Sequence, residues 1–391
     1  MKKLTYILLL SISFFSCSTD KEYENINSDA IIKSNFGAKI DLENLANYAN
    51  QTVPDYITID NTGENGITDK GATLGRVLFY DKNLSKDNTI SCSSCHKQSL
   101  AFGDDAVASI GVNGSTGRHS MRLVNNRFSL EAKYFWDERA TDLETQTTMP
   151  IKDHVEMGFS GENGDASFSD LIDKLKTIDY YKVLFKFVYD SEEITEHKIQ
   201  LALAQFVRSI QSFDSKYDIG KASATFDTDV FVNYTAQEQI GKNLFLTEAM
   251  YSPAGIRTGG GIACANCHQN PTFSIDPIAK NNGLITTLGN PNGIDLNNTK
   301  APSLRDLFDN NGVLNGPLMH TGISLNAVYD HYSLSQENPL NTNLDTRFFP
   351  NGNYLTINIS RQEREAVTAF LKTLSGTNIY TDVKWSDPFL K

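Results

Sequence analysis

The apolar residues of this chain recur mostly at the spacing of one face of an α-helix. Residues 69–79 open with a helix-start signal and continue as an apolar face, and residues 235–245 repeat that arrangement. Residues 192–217 carry apolar side chains near the helical period, and residues 361–374 give another amphipathic stretch. Few segments alternate as strands do, so the pattern predicts a mainly α fold.

The amino terminus has the pattern of an export signal. Two lysines precede a mostly apolar run over residues 4–15, which is too short for a membrane span. The run ends at a serine before Cys17, which resembles a bacterial lipoprotein cleavage site, and an ordinary cleaved signal is the alternative. We expect residues 1–16 to be a signal peptide and residues 17–60 a lipidated N-terminus and tether. Such a protein lies in the periplasm or cell envelope and touches the membrane only through its lipid.

Two C-x-x-C-H motifs carry the clearest chemical signal in the chain. In this motif the two thiols bond the vinyl groups of a haem and the histidine ligates its iron. The chain should therefore carry two covalently bound haem c groups, held by Cys92, Cys95 and His96 and by Cys264, Cys267 and His268.

The two motifs belong to an internal repeat. Each follows a predicted helix with the same local pattern, Gly-x-x-Leu-Phe, which begins at Gly75 and again at Gly241. A phenylalanine follows each motif at a similar distance. This repeat predicts two tandem cytochrome c-like haem domains with irregular loops, residues 61–220 and residues 221–391.

Cysteine usage and charge agree with export. Of the 5 cysteines, one is assigned to lipid and four to haem, which leaves none for a disulfide. The formal charge is −12, and loss of the two signal-peptide lysines takes it to −14. An acidic surface disfavours nucleic acid and suits a basic electron-donor protein.

Haem iron held by one histidine has a sixth position that is either filled or open. A haem whose sixth position is filled by a protein ligand passes electrons, and an open one can bind peroxide or oxygen. Two haems in one chain therefore suggest one store of reducing equivalents and one reaction centre. The spacing of the motifs leaves open which is which.

Further motifs accompany the haem sites in a fixed order along the chain. They are Leu74-Gly75-x-x-Leu78-Phe79, Phe135–Ala140, Glu144-x-Gln146, Pro150-Ile151, Glu156–Gly158, Ala301–Arg305 and Met319-His320-x-Gly322. With them the chain resembles the bacterial di-haem cytochrome c peroxidase family, which includes the methylamine dehydrogenase maturation enzyme MauG. The resemblance covers roughly residues 68–374.

The resemblance implies a role for each matched residue. His96 would be the proximal ligand of the peroxidatic N-terminal haem, and His268 that of the electron-transferring C-terminal haem. Trp136 matches a tryptophan that conducts electrons between the haems. Gln146 and Glu156 match polar residues above the peroxidatic iron. A carboxylate there, with its pKa raised by desolvation, could shuttle the proton of bound peroxide.

The glycine-rich loop, residues 111–117, departs from the family pattern. Classical members often have a histidine in this loop that caps the resting peroxidatic iron, and the matching position here is Val112. Valine cannot ligate iron, so we expect this haem to be five-coordinate or water-bound at rest. His119 is the only nearby substitute.

A second departure concerns the C-terminal haem. Its sixth ligand is a methionine in classical members and a tyrosine in the MauG branch. Here His331 is nearest the expected position, Tyr332 is adjacent and Met319 is a further candidate. The resemblance also implies a calcium ion between the domains, where Ser120 replaces the family's asparagine and the carbonyls of residues 300–302 are further donors.

The leading functional prediction is reduction of hydrogen peroxide to water with electrons from a small donor protein of the cytochrome c or cupredoxin type. A second hypothesis is MauG-like oxidation of residues on a partner protein. A third is a non-catalytic di-haem electron-transfer protein. The resemblance further implies a homodimer.

Overall fold

A computed structural model describes residues 19–130, 133–275 and 277–390. The predicted signal peptide and Cys17 lie outside the described residues. The regular structure is mainly helical, as predicted, and no helix in the described ranges is long and apolar enough to cross a membrane. The α-helices are α1 Thr19–Phe36, α2 Asp69–Tyr80, α3 Cys92–Cys95, α4 Leu143–Thr148, α5 Phe168–Lys176, α6 Asp179–Tyr189, α7 Glu196–Ser209, α8 Lys216–Lys221, α9 Ala236–Leu246, α10 Leu325–Ser333 and α11 Arg361–Lys372.

The strands of the described residues are short and pair only with their neighbours in the chain. Each pair is antiparallel and two-stranded, with β1 beside β2, β3 beside β4, β5 beside β6 and β7 beside β8. They are β1 Ile110–Gly111, β2 Gly114–Ser115, β3 Ala249–Tyr251, β4 Arg257–Gly260, β5 His268–Gln269, β6 Ser274–Ile275, β7 Thr286–Thr287 and β8 Asn290–Ile294.

The glycine of the repeated pattern lets two helices touch in each half of the chain. α2 packs on α7, and a Cβ added to Gly75 would lie 2.0 Å from the carbonyl oxygen of Ala202. α9 packs on α11 in the same way, where a Cβ on Gly241 would lie 1.9 Å from the carbonyl oxygen of Ala366. Because such separations lie far inside van der Waals contact, only glycine permits either crossing.

The phenylalanine of the repeated pattern, Phe79 in the first half and Phe245 in the second, has the same two kinds of neighbour in each half of the chain. It packs against a phenylalanine of the partner helix and against the one that follows the haem motif. The ring centroids lie 5.2 Å apart for Phe79–Phe206, 6.0 Å for Phe79–Phe102, 5.2 Å for Phe245–Phe370 and 5.7 Å for Phe245–Phe273.

The buried hydrophobic residues form two clusters. The first draws mainly on residues 32–210 and the second on residues 217–374. Ile379 and Trp385, near the end of the chain, belong to the first cluster. The tail therefore returns to the N-terminal half, although the predicted boundaries assigned it to the C-terminal domain.

The segment predicted to be a tether is structured over much of its length. α1 ends at Phe36, and Ile32, Phe36 and Tyr48 are all buried in the first cluster. The Phe36 ring packs edge-on against Tyr180 of α6, with centroids 5.4 Å apart. Residues 36–48 thus pack onto the first half of the chain, and so does Ile32 near the end of α1. The buried apolar residues described in α1, Ile32 and Phe36, stand at its C-terminal end, so the polar composition of the segment concealed them.

The stretch over residues 192–217 is likewise not one helix. α7 ends at Ser209, and α8 begins only after Ser215. The Ser215 side chain caps α8 by accepting from the backbone N–H of Asp218, while the Asp218 carboxylate accepts from the backbone N–H of Ser215. This capping box starts a new helix inside the apolar run, because it satisfies the first free N–H groups of α8.

A buried ion pair in the second half of the chain also binds the N-terminal segment. Arg305 is 0 % exposed, and its Nη1 lies 2.9 Å from the Asp218 carboxylate. The same carboxylate accepts the hydroxyl hydrogen of Tyr56 at 2.6 Å. Arg305 also donates to the Pro271 carbonyl at 2.8 Å, just after the second haem motif. The N-terminal segment, α8 and the second haem region thus meet at one charge pair.

We expect Asp218→Ala to lower the free energy of unfolding by about 3–5 kcal/mol, because it leaves the buried Arg305 guanidinium without its counter-ion. Arg361→Ala is the control, since Arg361 pairs with Glu365 while 87 % exposed, and it should cost less than about 1 kcal/mol. Denaturant unfolding of the haem-loaded protein, followed by circular dichroism, measures both. Equal losses for the two variants would contradict the role given to the buried pair.

Candidate functional site

The first haem motif forms a short capped helix at the floor of a cavity. The backbone N–H of Ser91 donates to the Ser94 hydroxyl at 3.0 Å, which fixes α3 and with it both thiols. Cys92, Cys95 and His96 line this N-terminal cavity. The Nδ1 of His96 lies 3.1 Å from the Phe102 carbonyl oxygen, so it carries a hydrogen and leaves Nε2 for a metal.

The second motif lines a separate and more apolar cavity, the C-terminal cavity. Cys264, Cys267 and His268 lie on its wall. His268 begins the β5–β6 hairpin, whose other strand starts just after Phe273. Phe273 has a left-handed backbone, φ 53°, as does Phe102 in the first half, φ 59°. The same turn thus closes each haem motif.

The chemistry of these residues fits two haem c groups. All four thiols are free rather than joined as disulfides, and burial raises the pKa of Cys92 and of Cys264 to about 12. Burial also lowers the pKa of His96, and that of His268 to about 4. Both imidazoles are therefore neutral at neutral pH, the form that ligates iron.

Gln146 and Glu156 both line the N-terminal cavity. Gln146 lies on α4, which Glu144 anchors by an ion pair with Arg208 of α7, Oε2 to Nη2 2.9 Å. Burial and, to a lesser extent, the Asp153 carboxylate raise the pKa of Glu156 to about 7 against the opposing effect of the Arg139 guanidinium. Glu156 can therefore both accept and donate a proton near neutral pH.

The glycine-rich loop holds the Glu156 segment through its backbone. The N–H of Val112 donates to the Glu156 carbonyl at 3.0 Å, and that of Asn113 donates to the Val155 carbonyl at 3.1 Å. A Cβ on Gly111 would lie 2.1 Å from the Val155 carbonyl oxygen, so glycine is required for this approach. Motif spacing did not reveal this clamp, because its hydrogen bonds involve only main-chain atoms.

Within the same loop, the side chains that reach the N-terminal cavity are those of Ser115 and Thr116. The Val112 side chain instead lies beside Gly158. His119 is buried along both cavities, and its Nδ1 lies 2.9 Å from the Ala106 carbonyl oxygen. The open resting state of the N-terminal haem stays a prediction.

Trp136 lies between the two cavities and contributes to the wall of each. Its indole Nε1 donates to the His119 carbonyl at 2.7 Å, and its ring meets the His320 ring edge-on at 6.0 Å. Its own carbonyl accepts from the N–H groups of Thr299 and Lys300, at 2.9 and 3.1 Å. Both halves of the chain thus fix the position of the indole.

The candidates for the sixth ligand of the C-terminal haem do not all reach its cavity. Met319 and Tyr332 line it. The His331 ring turns away, with Nε2 2.9 Å from the carbonyl oxygen of Asn282. The structure therefore disagrees with His331 as the ligand. Adjacent residues of a helix point about 100° apart, so a one-residue difference decides which side chain faces the cavity.

The predicted calcium position lies between the cavities. Ser120 and residues 300–302 line this space, but the Ser120 hydroxyl is already 2.7 Å from the Ser109 hydroxyl. The partly buried guanidinium of Arg122 lines the same space. A single hydroxyl and backbone carbonyls beside a guanidinium do not fit a calcium ion, which prefers six to eight oxygens that include carboxylates.

Known proteins share this architecture. Residues 69–223 match the family described as di-haem cytochrome c peroxidase. The chain is 29 % identical to the methylamine utilization protein MauG of Methylorubrum extorquens over 79 % of each chain. It is 28 % identical to cytochrome c551 peroxidase of Nitrosomonas europaea, covering 78 % of this chain and 80 % of that protein.

A solved structure extends the likeness to three dimensions. The crystal structure of a MauG-like protein associated with microbial copper homeostasis has a TM-score of 0.64 and 26 % identity, over 87 % of this chain and 99 % of that one. These likenesses, with two haem-attachment motifs in two separate cavities, show that residues 69–223 belong to the di-haem cytochrome c peroxidase family, whose members imply two c-type haems, and that the chain as a whole is similar to its members.

Proposed function

We propose that this protein reduces hydrogen peroxide to water in the N-terminal cavity, with electrons from a small redox protein. The observation that carries the proposal is Glu156, a partly buried carboxyl with a pKa of about 7 that shares a cavity wall with His96 and Gln146. Relatives named as peroxidases support a peroxidase-type oxidoreductase.

When bound, haem supplies the iron site at which peroxide is held and its O–O bond is cleaved. Glu156 takes the proton from one peroxide oxygen and gives it to the departing oxygen, which leaves as water. Gln146 orients the substrate through its side-chain amide. Two electrons and two further protons convert the remaining oxygen to a second water. Burial and the Asp153 carboxylate hold the pKa of Glu156 near 7 against the Arg139 guanidinium, so the group can take up the proton and release it again.

Electrons would enter at the C-terminal haem and pass through Trp136. The indole adjoins both cavities, and its hydrogen bond to the His119 carbonyl holds the ring in place. The acidic net charge of −12 favours a basic donor such as a small cytochrome c or cupredoxin.

A second candidate is oxidation of residues on a partner protein, as the resemblance to MauG suggests. It is favoured by Tyr332, which lies on the wall of the C-terminal cavity, because the family resemblance implies a tyrosine ligand on that haem in the MauG branch. The two candidates differ in the electron source. The first consumes a reduced donor protein with each peroxide, and the second consumes peroxide while a partner protein is oxidised.

The first prediction concerns Glu156→Gln, which keeps the shape of the side chain but cannot shuttle a proton. We expect kcat for peroxide reduction to fall by about 10²–10⁴-fold while both haem spectra stay intact. Glu162→Gln is the control, because Glu162 is exposed in the next loop and should keep full activity. Steady-state assays with hydrogen peroxide and a reduced cytochrome test both. Full activity of Glu156→Gln would exclude the catalytic role.

The second prediction is a pH dependence. The carboxylate form must accept the peroxide proton, so kcat/KM for peroxide should rise with pH through a midpoint near 7, where burial places the Glu156 pKa. Arg139→Gln should move the midpoint upward, because the guanidinium stabilises the carboxylate. The rise should be absent in Glu156→Gln. A rise that persists in that variant would assign the titration to another group.

We also propose that the mature protein is exported and anchored to a membrane of the cell envelope by lipid on Cys17. The apolar run before this cysteine and the need for haem attachment outside the cytoplasm support the proposal. Labelling of cells with a radioactive fatty acid should mark the wild type and not Cys17→Ser. Equal labelling of both would contradict anchoring at this residue.

A further inference from the structure

An asparagine joins the two side chains that compete for the C-terminal haem. The Asn282 amide nitrogen lies 2.9 Å from the Tyr332 hydroxyl oxygen and 3.3 Å from the Met319 sulfur. All three residues line the C-terminal cavity. One amide group therefore holds both candidate ligands at one side of the site, with one N–H for each.

The orientation of this amide is determined by its own surroundings. The Asn282 Oδ1 accepts the backbone N–H of Leu284 at 3.1 Å, which identifies the other end of the amide as the nitrogen. A backbone N–H can only donate, so a flipped amide would lose this bond. The two N–H groups are thereby directed at Tyr332 and Met319.

The partners of the amide are themselves held firmly. The Tyr332 ring stacks on Phe348 with an interplanar angle of 6° and centroids 6.1 Å apart. Met319 has a left-handed backbone, φ 61°, in a turn closed by two hydrogen bonds between Leu318 and Ile323, each 2.7 Å. A left-handed methionine is costly, and such conformations persist where the surroundings impose them, often at functional sites.

His331 contacts the backbone of Asn282 from outside the cavity. Its Nε2 lies 2.9 Å from the Asn282 carbonyl oxygen, and a carbonyl can only accept, so Nε2 carries the hydrogen. The ring thus anchors the backbone of Asn282 from α10. The next residue of α10 is Tyr332, so one helix carries both the anchor and the tyrosine that Asn282 contacts.

We propose that Asn282 is the positioning residue that selects Tyr332 over Met319 as the sixth ligand of the C-terminal haem, with His331 acting through the Asn282 backbone rather than on the iron. An N–H donated to the tyrosine oxygen stabilises negative charge on that oxygen, as ligation requires. An N–H donated to a thioether engages a sulfur lone pair that iron would need. The same amide therefore favours tyrosine and disfavours methionine.

The inference rests on the C-terminal haem and not on peroxide reduction, so its test uses the resting haem-loaded protein without peroxide or donor. We expect Asn282→Leu, which removes both N–H groups but keeps the carbonyl for His331, to change the electron paramagnetic resonance signal of the C-terminal haem. Its midpoint potential should shift upward, because methionine ligation raises haem potentials. Asn292→Leu, an exposed asparagine of the β7–β8 hairpin, should match the wild type.

His331 supplies a second, independent pair of variants. His331→Leu should shift the C-terminal signal in the same direction as Asn282→Leu, and His331→Gln, whose amide can still donate to the Asn282 carbonyl, should stay close to the wild type. If His331 were the ligand, both His331 variants would lose the six-coordinate signal and Asn282→Leu would keep it. That result would overturn the proposal.

Tyr332→Phe keeps the test decisive if the other variants do not fold. This change retains the ring that stacks on Phe348 and removes only the hydroxyl. The six-coordinate tyrosine signal should disappear while the signal of the N-terminal haem is unchanged. An unaltered C-terminal signal in Tyr332→Phe, or in a folded Asn282→Leu, would refute the selection of tyrosine by Asn282. Loss of peroxide turnover alone would bear on the proposed function and not on this inference.

Discussion

The close crossing of two helix pairs is the constraint on which the rest of the structure depends. Gly75 of α2 and Gly241 of α9 each place the helix backbone against a carbonyl of the partner helix, α7 or α11. At that distance a phenylalanine four residues later packs on the partner helix and on the phenylalanine that closes the haem motif. Any side chain at either glycine would push the helices apart and move the ring that supports the motif. The two haem cavities are therefore built by one local device used twice.

The same helix crossing underlies two cavities whose walls differ in polarity. Around the N-terminal cavity, the glycine-rich loop clamps the Glu156 segment through main-chain hydrogen bonds and leaves a polar wall with a carboxyl whose pKa is near neutral. Around the C-terminal cavity, the wall is mostly apolar, and one polar group in it is the Asn282 amide, which bonds Tyr332 and Met319. A polar wall suits proton transfer, and an enclosed apolar wall with a protein ligand suits storage of an electron.

A small number of buried contacts connects the two halves of the chain. Trp136 is fixed by the His119 carbonyl on one side and by the N–H groups of Thr299 and Lys300 on the other. Arg305 and Asp218 form a fully enclosed pair, and the C-terminal tail packs into the first hydrophobic cluster. Each of these contacts resists a change in the relative placement of the cavities. Trp136, between the two cavities, is thus buried rather than exposed at the surface.

The amino-acid sequence by itself determined the repeated helix-to-motif unit, the mainly α class and the two haem-attachment motifs. It could do so because glycine, cysteine and histidine carry their chemistry in their identity, and because the motifs recur at fixed spacing. Only the tertiary structure decided which of Met319, His331 and Tyr332 face the cavity, and it revealed the main-chain hydrogen bonds that hold Glu156 and the burial of Ile32 and Phe36 at the end of α1. These features depend on side-chain direction, which changes by about 100° between adjacent helical residues, and on main-chain atoms, which every residue shares.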